Sequence, residues 1–398
     1  MIRFSDRLNA LPGYPLAEIP SIKRRLAEAG MDIIDLGAGD NDTPPPATVV
    51  EAMNAALADP AMSKYGFQQG LLGYRQAAAR WVERRFGQVF DPVTELLPLI
   101  GSKEGLSHLP FTVCNPGDVA IVPEPGYQAY IGGSILAGAE PYIVPLRPER
   151  NFLLELDDVP ADVLRRAKVV FVNYPNNPTA AIAPRDYLER LVATCRQHGI
   201  LLAYDNAYSE LTFDGYVAPS IFEIPGARDV ALEYFSLSKS YSMTGWRIGF
   251  VVGPAPLVGA LTRVKSYTDT GPWLAIQRAA ITALDDSDAL VAPIRDELQR
   301  RRDAGVAALN AAGFPCEAPK AAMYLWIRLP DGVPSKAFAV KALEETGVVV
   351  LPGVGFGPAG EGFFRIALTV GPARLAEAVR RLGGVLEEIR RGALAAAR

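Results

Sequence analysis

Along the middle of the chain, short apolar runs alternate with stretches in which apolar residues recur every three or four positions. Val119–Val122, Lys168–Asn173, Ile200–Tyr204, Val230–Ser236 and Ile248–Val252 are short, apolar and rich in β-branched and aromatic residues, which predicts strands buried on both faces. Between them, Pro184–His198 sets Leu188, Leu191, Val192 and Cys195 at helical spacing. Strand–helix alternation predicts an α/β fold with a mostly parallel sheet between helices. Such sheets place ligand sites at the carboxyl ends of their strands.

From about Asp285 the pattern changes. A long amphipathic helix to about Ala312, strands at Tyr324–Leu329, Val348–Leu351 and Phe363–Thr369, and a closing helix from Pro372 to about Ala395 predict a smaller α+β domain. The first 45 or so residues carry a short helix, Ile19–Ala29, and a glycine-rich loop, Gly37–Asp40, and are expected to join that small domain. The expected division is residues 1–45 with the small domain, 46–285 as the large domain and 286–398 as the small C-terminal domain.

Composition narrows the class. The chain has 398 residues, which at about 150 per domain predicts two to three domains. With 49% hydrophobic and 21% charged residues, it has the material for a packed core. Lys plus Arg number 40 against 44 Asp plus Glu, a net charge of −4 without a basic block, so no nucleic-acid partner is expected. Arg300-Arg301-Arg302 falls on the long helix and reads as a solvated face. Cys114, Cys195 and Cys316 are odd in number and far apart, which fits a reducing compartment. Two histidines, His108 and His198, leave little for a His-based metal site or a Ser–His–Asp triad, and no metal is expected. The N-terminus lacks the apolar core of a signal peptide, and no run of about 18 apolar residues offers a membrane span. A cytoplasmic protein without a membrane partner is expected.

The densest chemistry lies in Ser236-Leu237-Ser238-Lys239, with Arg247 eight residues beyond the lysine. An amine that forms a Schiff base must be partly deprotonated, so it needs a dry pocket influenced by other cations. Ser236, Ser238 and Arg247 would cradle a phosphate beside it. A surface lysine in a serine-rich turn would, on its own, look the same. Gly101-Ser102-Lys103-Glu104-Gly105 follows a strand pattern and opens a helix, where backbone N–H groups form an anion cup; an ordinary helix cap has the same pattern. Asn173-Tyr174-Pro175-Asn176-Asn177-Pro178-Thr179 closes one strand as a Pro/Asn turn, and Asp205 ends another, where it is either a catalytic carboxylate or a helix cap. Arg365 stands inside an apolar strand, which is costly unless it meets an anion. Gly353-Val354-Gly355-Phe356-Gly357 imitates a nucleotide loop but lacks a following helix, and reads as a flexible loop near the substrate.

Taken in this order, these motifs resemble the fold-type I aminotransferases, which use pyridoxal 5′-phosphate, over nearly the whole chain. The resemblance implies that fold, with a large domain on a mostly parallel sheet and a smaller α+β domain. It implies Lys239 as the Schiff-base lysine and general base, Asp205 as partner of the pyridine nitrogen, and Tyr208 and Asn177 as donors to the phenolic oxygen. Ser102, Lys103, Ser236, Ser238 and Arg247 would hold the phosphate, and Tyr127 would stack on the ring. Arg365 would clamp the substrate carboxylate, with Asn177 beside it and Gly39 meeting the same group through its backbone. Tyr65 looks like the tyrosine that reaches a partner subunit's phosphate, which implies a homodimer with shared active sites. The small-molecule partners would be an amino acid and a 2-oxo acid. Leu8–Pro15, with Tyr14 as a substrate-side tyrosine, together with Gly101–Gly105 and Ser236–Phe250, is similar to the LL-diaminopimelate aminotransferase branch of lysine biosynthesis, with 2-oxoglutarate as acceptor. Asn206, Tyr267 and Trp273 depart from that branch. Bulky aromatics near the pocket would suit aromatic substrates instead. Small neutral amino acids as substrates, or a lyase or oxidase reaction on the same fold, also stay open at this point.

Overall fold

A computed structural model describes residues 2–13 and 18–396, the side chains of 392–396 excepted. Seven strands form the central sheet in the order Leu96–Leu99, Gly249–Val252, Ala231–Ser236, Leu201–Asp205, Ala167–Asn173, Val119–Glu124 and Glu140–Pro145. Gly249–Val252 runs antiparallel to both its neighbours, and the other neighbouring pairs are parallel. Alternate residues feed two separate cores. Val170, Val172, Leu202 and Tyr204 pack on one face, and Val169, Phe171, Leu201 and Ala203 on the other. Burial of both faces is why these strands read as unbroken apolar runs rather than as alternating ones.

The helices on the first face include Ala47–Leu57, Leu72–Phe86, Arg185–His198 and Leu274–Asp285. The second face is covered by Gln128–Ala137 and Ala255–Lys265, with the short Ser102–His108 helix between them. The long helix expected from Asp285 begins at Ser287 and ends at Ala311, with Pro293 inside it. Beyond it, Leu351–Pro352, Phe363–Ala367 and Tyr324–Arg328 make a three-stranded antiparallel sheet whose inner face, including Phe364 and Ile366, packs on Pro372–Ala396. The run expected as one strand over Val348–Leu351 is two. Val348–Val349 pairs with Ile34–Asp35, and Leu351–Pro352 turns to the other sheet. That parallel pairing, with Ile19 packed on Leu343 and Val349, brings the N-terminal segment to the C-terminal part. The first helix, Asp6–Ala10, instead lies by Gln128–Ala137, where Arg7 donates to the Leu136 carbonyl.

Candidate active site

The strands ending at Leu99, Glu124, Asn173, Asp205 and Ser236 all deliver their carboxyl ends to one edge of the large sheet. Asp205 is the last residue of its strand, directly opposite Asn173 in register. The Asn173 amide donates to the Asp205 carbonyl at 2.7 Å, while its Oδ1 accepts the Asn177 N–H at 2.7 Å. One strand-ending asparagine therefore holds Asp205 and Asn177 together. The Asp205 carboxylate is buried; Oδ2 accepts from the Tyr130 hydroxyl at 2.7 Å, the Ala207 N–H lies near the carboxyl, and Oδ1 has no well-aligned hydrogen-bond partner among the described residues. Burial pushes its pKa up to about 6, against the lowering effect of the Tyr130 bond.

Lys239 lies in the Leu237–Ser240 turn that follows the next strand. Its ammonium donates to the Gly39 carbonyl at 2.5 Å, and its own carbonyl accepts from Asn41 at 2.8 Å. The N-terminal loop thus crosses over the lysine. A Cβ on Gly39 would stand 2.7 Å from the Tyr324 hydroxyl, so glycine is what fits there. The Tyr208 and Tyr324 hydroxyls are 3.0 Å apart. Burial, with Tyr324 beside it, raises the Tyr208 pKa well above its ordinary value.

The expected anion cup is assembled from two separated segments. Gly101 (φ 71°) turns the chain into the Ser102 helix, and a side chain there would collide with the Arg247 guanidinium. Arg247 itself has φ 56°; it donates to the Thr244 carbonyl at 3.0 Å and reaches the Ser238 hydroxyl at 3.4 Å. Ser236 caps the lysine turn by accepting from the Ser238 N–H at 3.2 Å. Gly249 passes so close to the Ser102 nitrogen that a Cβ would sit 3.1 Å from it. Lys103 stands 5.7 Å over the Tyr127 ring.

Arg365 comes from the small sheet. It donates to Asn177 Oδ1 at 2.9 Å and to the Gly37 carbonyl at 2.6 Å, with its guanidinium 4.2 Å over Tyr324 and 4.9 Å over Phe356. This joins the two sheets across the site. The glycine-rich turn that supplies Phe356 is an ordered 3₁₀ turn, Gly353–Phe356, and Gly126 N–H donates to the Phe356 carbonyl at 3.0 Å.

Lys239, Asp205, Tyr208, Asn177, Gly39 and Arg365 thus share one region, and Ser102, Lys103, Tyr127, Ser236, Ser238 and Arg247 border it. Tyr14 lies outside the described residues. Tyr65 is not brought to this site; it is 75% exposed, beside Phe67. Tyr267, 88% exposed, and Trp273, whose indole donates to the Met62 carbonyl, also stand on the outside rather than narrowing the pocket around Arg365. Asn206 turns away as well. Strand alternation sends it to the face opposite Asp205, where its amide donates to Glu233 at 2.8 Å and to the Pro219 carbonyl at 3.1 Å. Tyr130, Asn41 and Tyr324 contribute without having stood out in the sequence, while Asn173 and Phe356 lay in motifs whose roles the sequence did not assign to them. For Tyr324 a signal existed, because it alternates with Trp326 on the face that carries Arg365. A groove of about 610 Å³ between Pro148–Glu149 and Arg328–Pro334 contains none of the expected residues.

A buried carboxylate oxygen without a hydrogen-bond partner among the described residues, and a glycine-cleared turn against an arginine, fit a cationic heteroaromatic ring that bears a phosphate. The sequence comparisons agree. The aminotransferase class I and II family matches residues 31–382. An LL-diaminopimelate aminotransferase of Nitratidesulfovibrio vulgaris is 48% identical over 96% of this chain and 98% of its own length. Among solved structures, the apo form of BacF from Bacillus subtilis superposes with TM-score 0.92 at 32% identity, over 97% of this chain and 98% of that one. A probable N-succinyldiaminopimelate aminotransferase from Thermus thermophilus gives TM-score 0.89 at 38% identity, over 94% and 100%. The chain belongs to aminotransferase class I and II, and is a pyridoxal 5′-phosphate-dependent aminotransferase of the fold-type I architecture.

Proposed function

We propose that this class I and II aminotransferase moves the amino group of LL-diaminopimelate to 2-oxoglutarate, or runs the same exchange in reverse. The observation that carries the chemistry is the meeting of Lys239 and Asp205 at the carboxyl edge of the large sheet with Arg365 from the small one. When bound, pyridoxal 5′-phosphate supplies an aldehyde that captures the substrate amine and a ring that accepts electron density from its Cα. Asp205 would hold the ring nitrogen protonated through Oδ1, the oxygen without a well-aligned hydrogen-bond partner among the described residues. A cation there would offset the burial that raises this carboxyl's pKa. Tyr127 would lie against the ring, and Asn177 and Tyr208 would donate to its phenolic oxygen. Ser102, Lys103, Ser236, Ser238 and Arg247 would receive the phosphate. Arg365 would trade its neutral carbonyl contacts for the substrate carboxylate, which a guanidinium meets with two parallel bonds. Lys239, once free of the Gly39 carbonyl, would hold and move the proton taken from the substrate Cα.

The 48% identity to a diaminopimelate enzyme supports the donor. The aromatic side chains beside Arg365, namely Tyr324, Trp326, Phe356 and Phe363, support aromatic or small neutral amino acids as the second reading. Cofactor-loaded protein mixed with single amino acids decides between them. Loss of the cofactor's visible band with LL-diaminopimelate and glutamate alone supports the first reading. Conversion by aromatic or small donors, with diaminopimelate inert, overturns it.

A homodimer in the cytoplasm completes the reading. Tyr65, Phe67 (63% exposed), Tyr267 and Trp273 (44%) put large apolar groups on the surface, which a second copy would cover while bringing its Tyr65 to this chain's phosphate turn. Three free cysteines suit a reducing compartment. Among the described residues no helix is long and apolar enough to cross a membrane.

A further inference from the structure

We propose that Lys265 is a positioning residue for the turn that would receive the cofactor phosphate, acting through Glu104. This rests on the cofactor reading above and extends it to a side chain that touches neither cofactor nor substrate.

Lys265 ends the Ala255–Lys265 helix and is fully buried. Its ammonium donates to Glu104 Oε2 at 2.6 Å and to the two Asp269 carboxylate oxygens at 3.0 and 3.1 Å. Glu104 sits in the first turn of the Ser102 helix. Besides Lys265, its Oε2 accepts the Ile100 N–H at 3.1 Å, and its Oε1 meets His108 Nδ1 at 2.8 Å. One carboxylate therefore ties the residue just before Gly101-Ser102-Lys103 to the residue just after them. Burial alone would raise the Glu104 pKa, but the bonds from His108 and Lys265 outweigh it and leave it lowered.

The geometry also explains why a lysine is used. Ligand atoms of Glu104, His108 and Asp269 lie within 4.8 Å of one another, an arrangement suited to a cation, and the Lys265 ammonium already bridges the two carboxylates. Without it, two largely buried carboxylates would repel each other. Glu104 would then take up a proton or swing toward solvent, and either change loosens its hold on the Ile100 N–H and so on the phosphate turn. Asp269 anchors the opposite side. It accepts the Gly271 N–H at 2.7 Å, and its carbonyl accepts from Gln68 at 3.3 Å. Among the described residues none of its hydrogen bonds goes to the Gly101–Lys103 turn, so the route to the phosphate runs through Glu104.

A lysine that merely stabilised the fold would, on removal, weaken every ligand alike. A positioning lysine should affect only ligands that carry the phosphate. The test is Lys265→Met in the full-length, cofactor-stripped protein, titrated with pyridoxal 5′-phosphate and with pyridoxal, which has the same aldehyde and ring but no phosphate. Affinity for the phosphorylated ligand should fall about tenfold or more, as expected when one partner of a buried charged network is lost. Affinity for pyridoxal should stay within about twofold, the tolerance for an uncoupled site. Unchanged affinity for pyridoxal 5′-phosphate, or equal losses for both ligands, overturns the proposal. Should Lys265→Met fail to fold, Glu104→Gln, which keeps an acceptor for the Ile100 N–H but removes the charge, must show the same selective loss, and an equal loss for both ligands overturns it again. A wild-type protein that binds neither ligand would overturn the cofactor reading itself, a distinguishable result.

Discussion

Replacing Asp205 with asparagine should make the cofactor-free protein more stable while disabling it. In the folded chain this carboxyl titrates at about 6 instead of 3.8, because burial disfavours its charged form. The sign follows from proton binding. Between pH 3.8 and 6 the folded state holds a proton that the unfolded chain has released, so stability falls as pH rises through that window and is level above it. A rise from 3.8 to about 6, at about 1.4 kcal/mol per pH unit, costs the fold about 3 kcal/mol above pH 6. A neutral amide stands in for the protonated carboxyl and can keep the bond to Tyr130. The Asp205→Asn advantage should therefore be near zero below pH 4, grow to about 3 kcal/mol by pH 7, and hold beyond. Denaturant unfolding of both stripped proteins at fixed concentration from pH 4 to 8 measures it. The same variant should lose transamination, because an amide cannot keep a ring nitrogen protonated. An advantage independent of pH, or a variant less stable at pH 8, would refute the account of Asp205 as a carboxylate kept charged for function at the fold's expense.

Glu233, fully buried against Asn206 and Ser220, titrates at about 8, raised chiefly by burial. By the same linkage, Glu233→Gln should gain stability over wild type progressively from pH 4.5 to about 8, still rising above pH 6 where the Asp205 effect has levelled off, as parallel unfolding curves would reveal. Gly101→Ala should cost about 1–3 kcal/mol of stability from its glycine-only backbone angles and weaken cofactor binding by displacing Arg247, measurable by melting and by titration with the cofactor. Arg365→Lys keeps the charge but gives up the two-pronged contact; KM for the 2-oxo acid should rise about tenfold or more with a smaller change in kcat, and an unchanged KM would remove Arg365 from the substrate site.

Much of this was legible from local pattern, because the chemistry sits where strands stop. A buried parallel strand must be apolar along its length, so the first polar residues after it, such as Asp205, the Asn173–Thr179 turn and Ser236–Lys239, stand out at the catalytic edge. The strand breaks were less legible. Val348–Leu351 is uniformly apolar whether it makes one strand or two, and only its separate pairings with Ile34–Asp35 and Phe364–Arg365 divide it. Where the departures at Asn206, Tyr267 and Trp273 point was not legible, because sequence position says nothing about which side of a strand, or which surface of the molecule, a side chain takes.

The sequence by itself determined the alternation of buried strands and amphipathic helices, the reactive groups at their ends and the family to which they belong, since each depends on residues near one another in the chain. The tertiary structure alone decided the pairings that span it. Tyr130 was placed on Asp205, Gly39 over Lys239, Arg365 against Asn177, and Lys265 on Glu104. Each of these contacts joins residues far apart in the chain, and burial gives each its strength, so no local pattern could carry it.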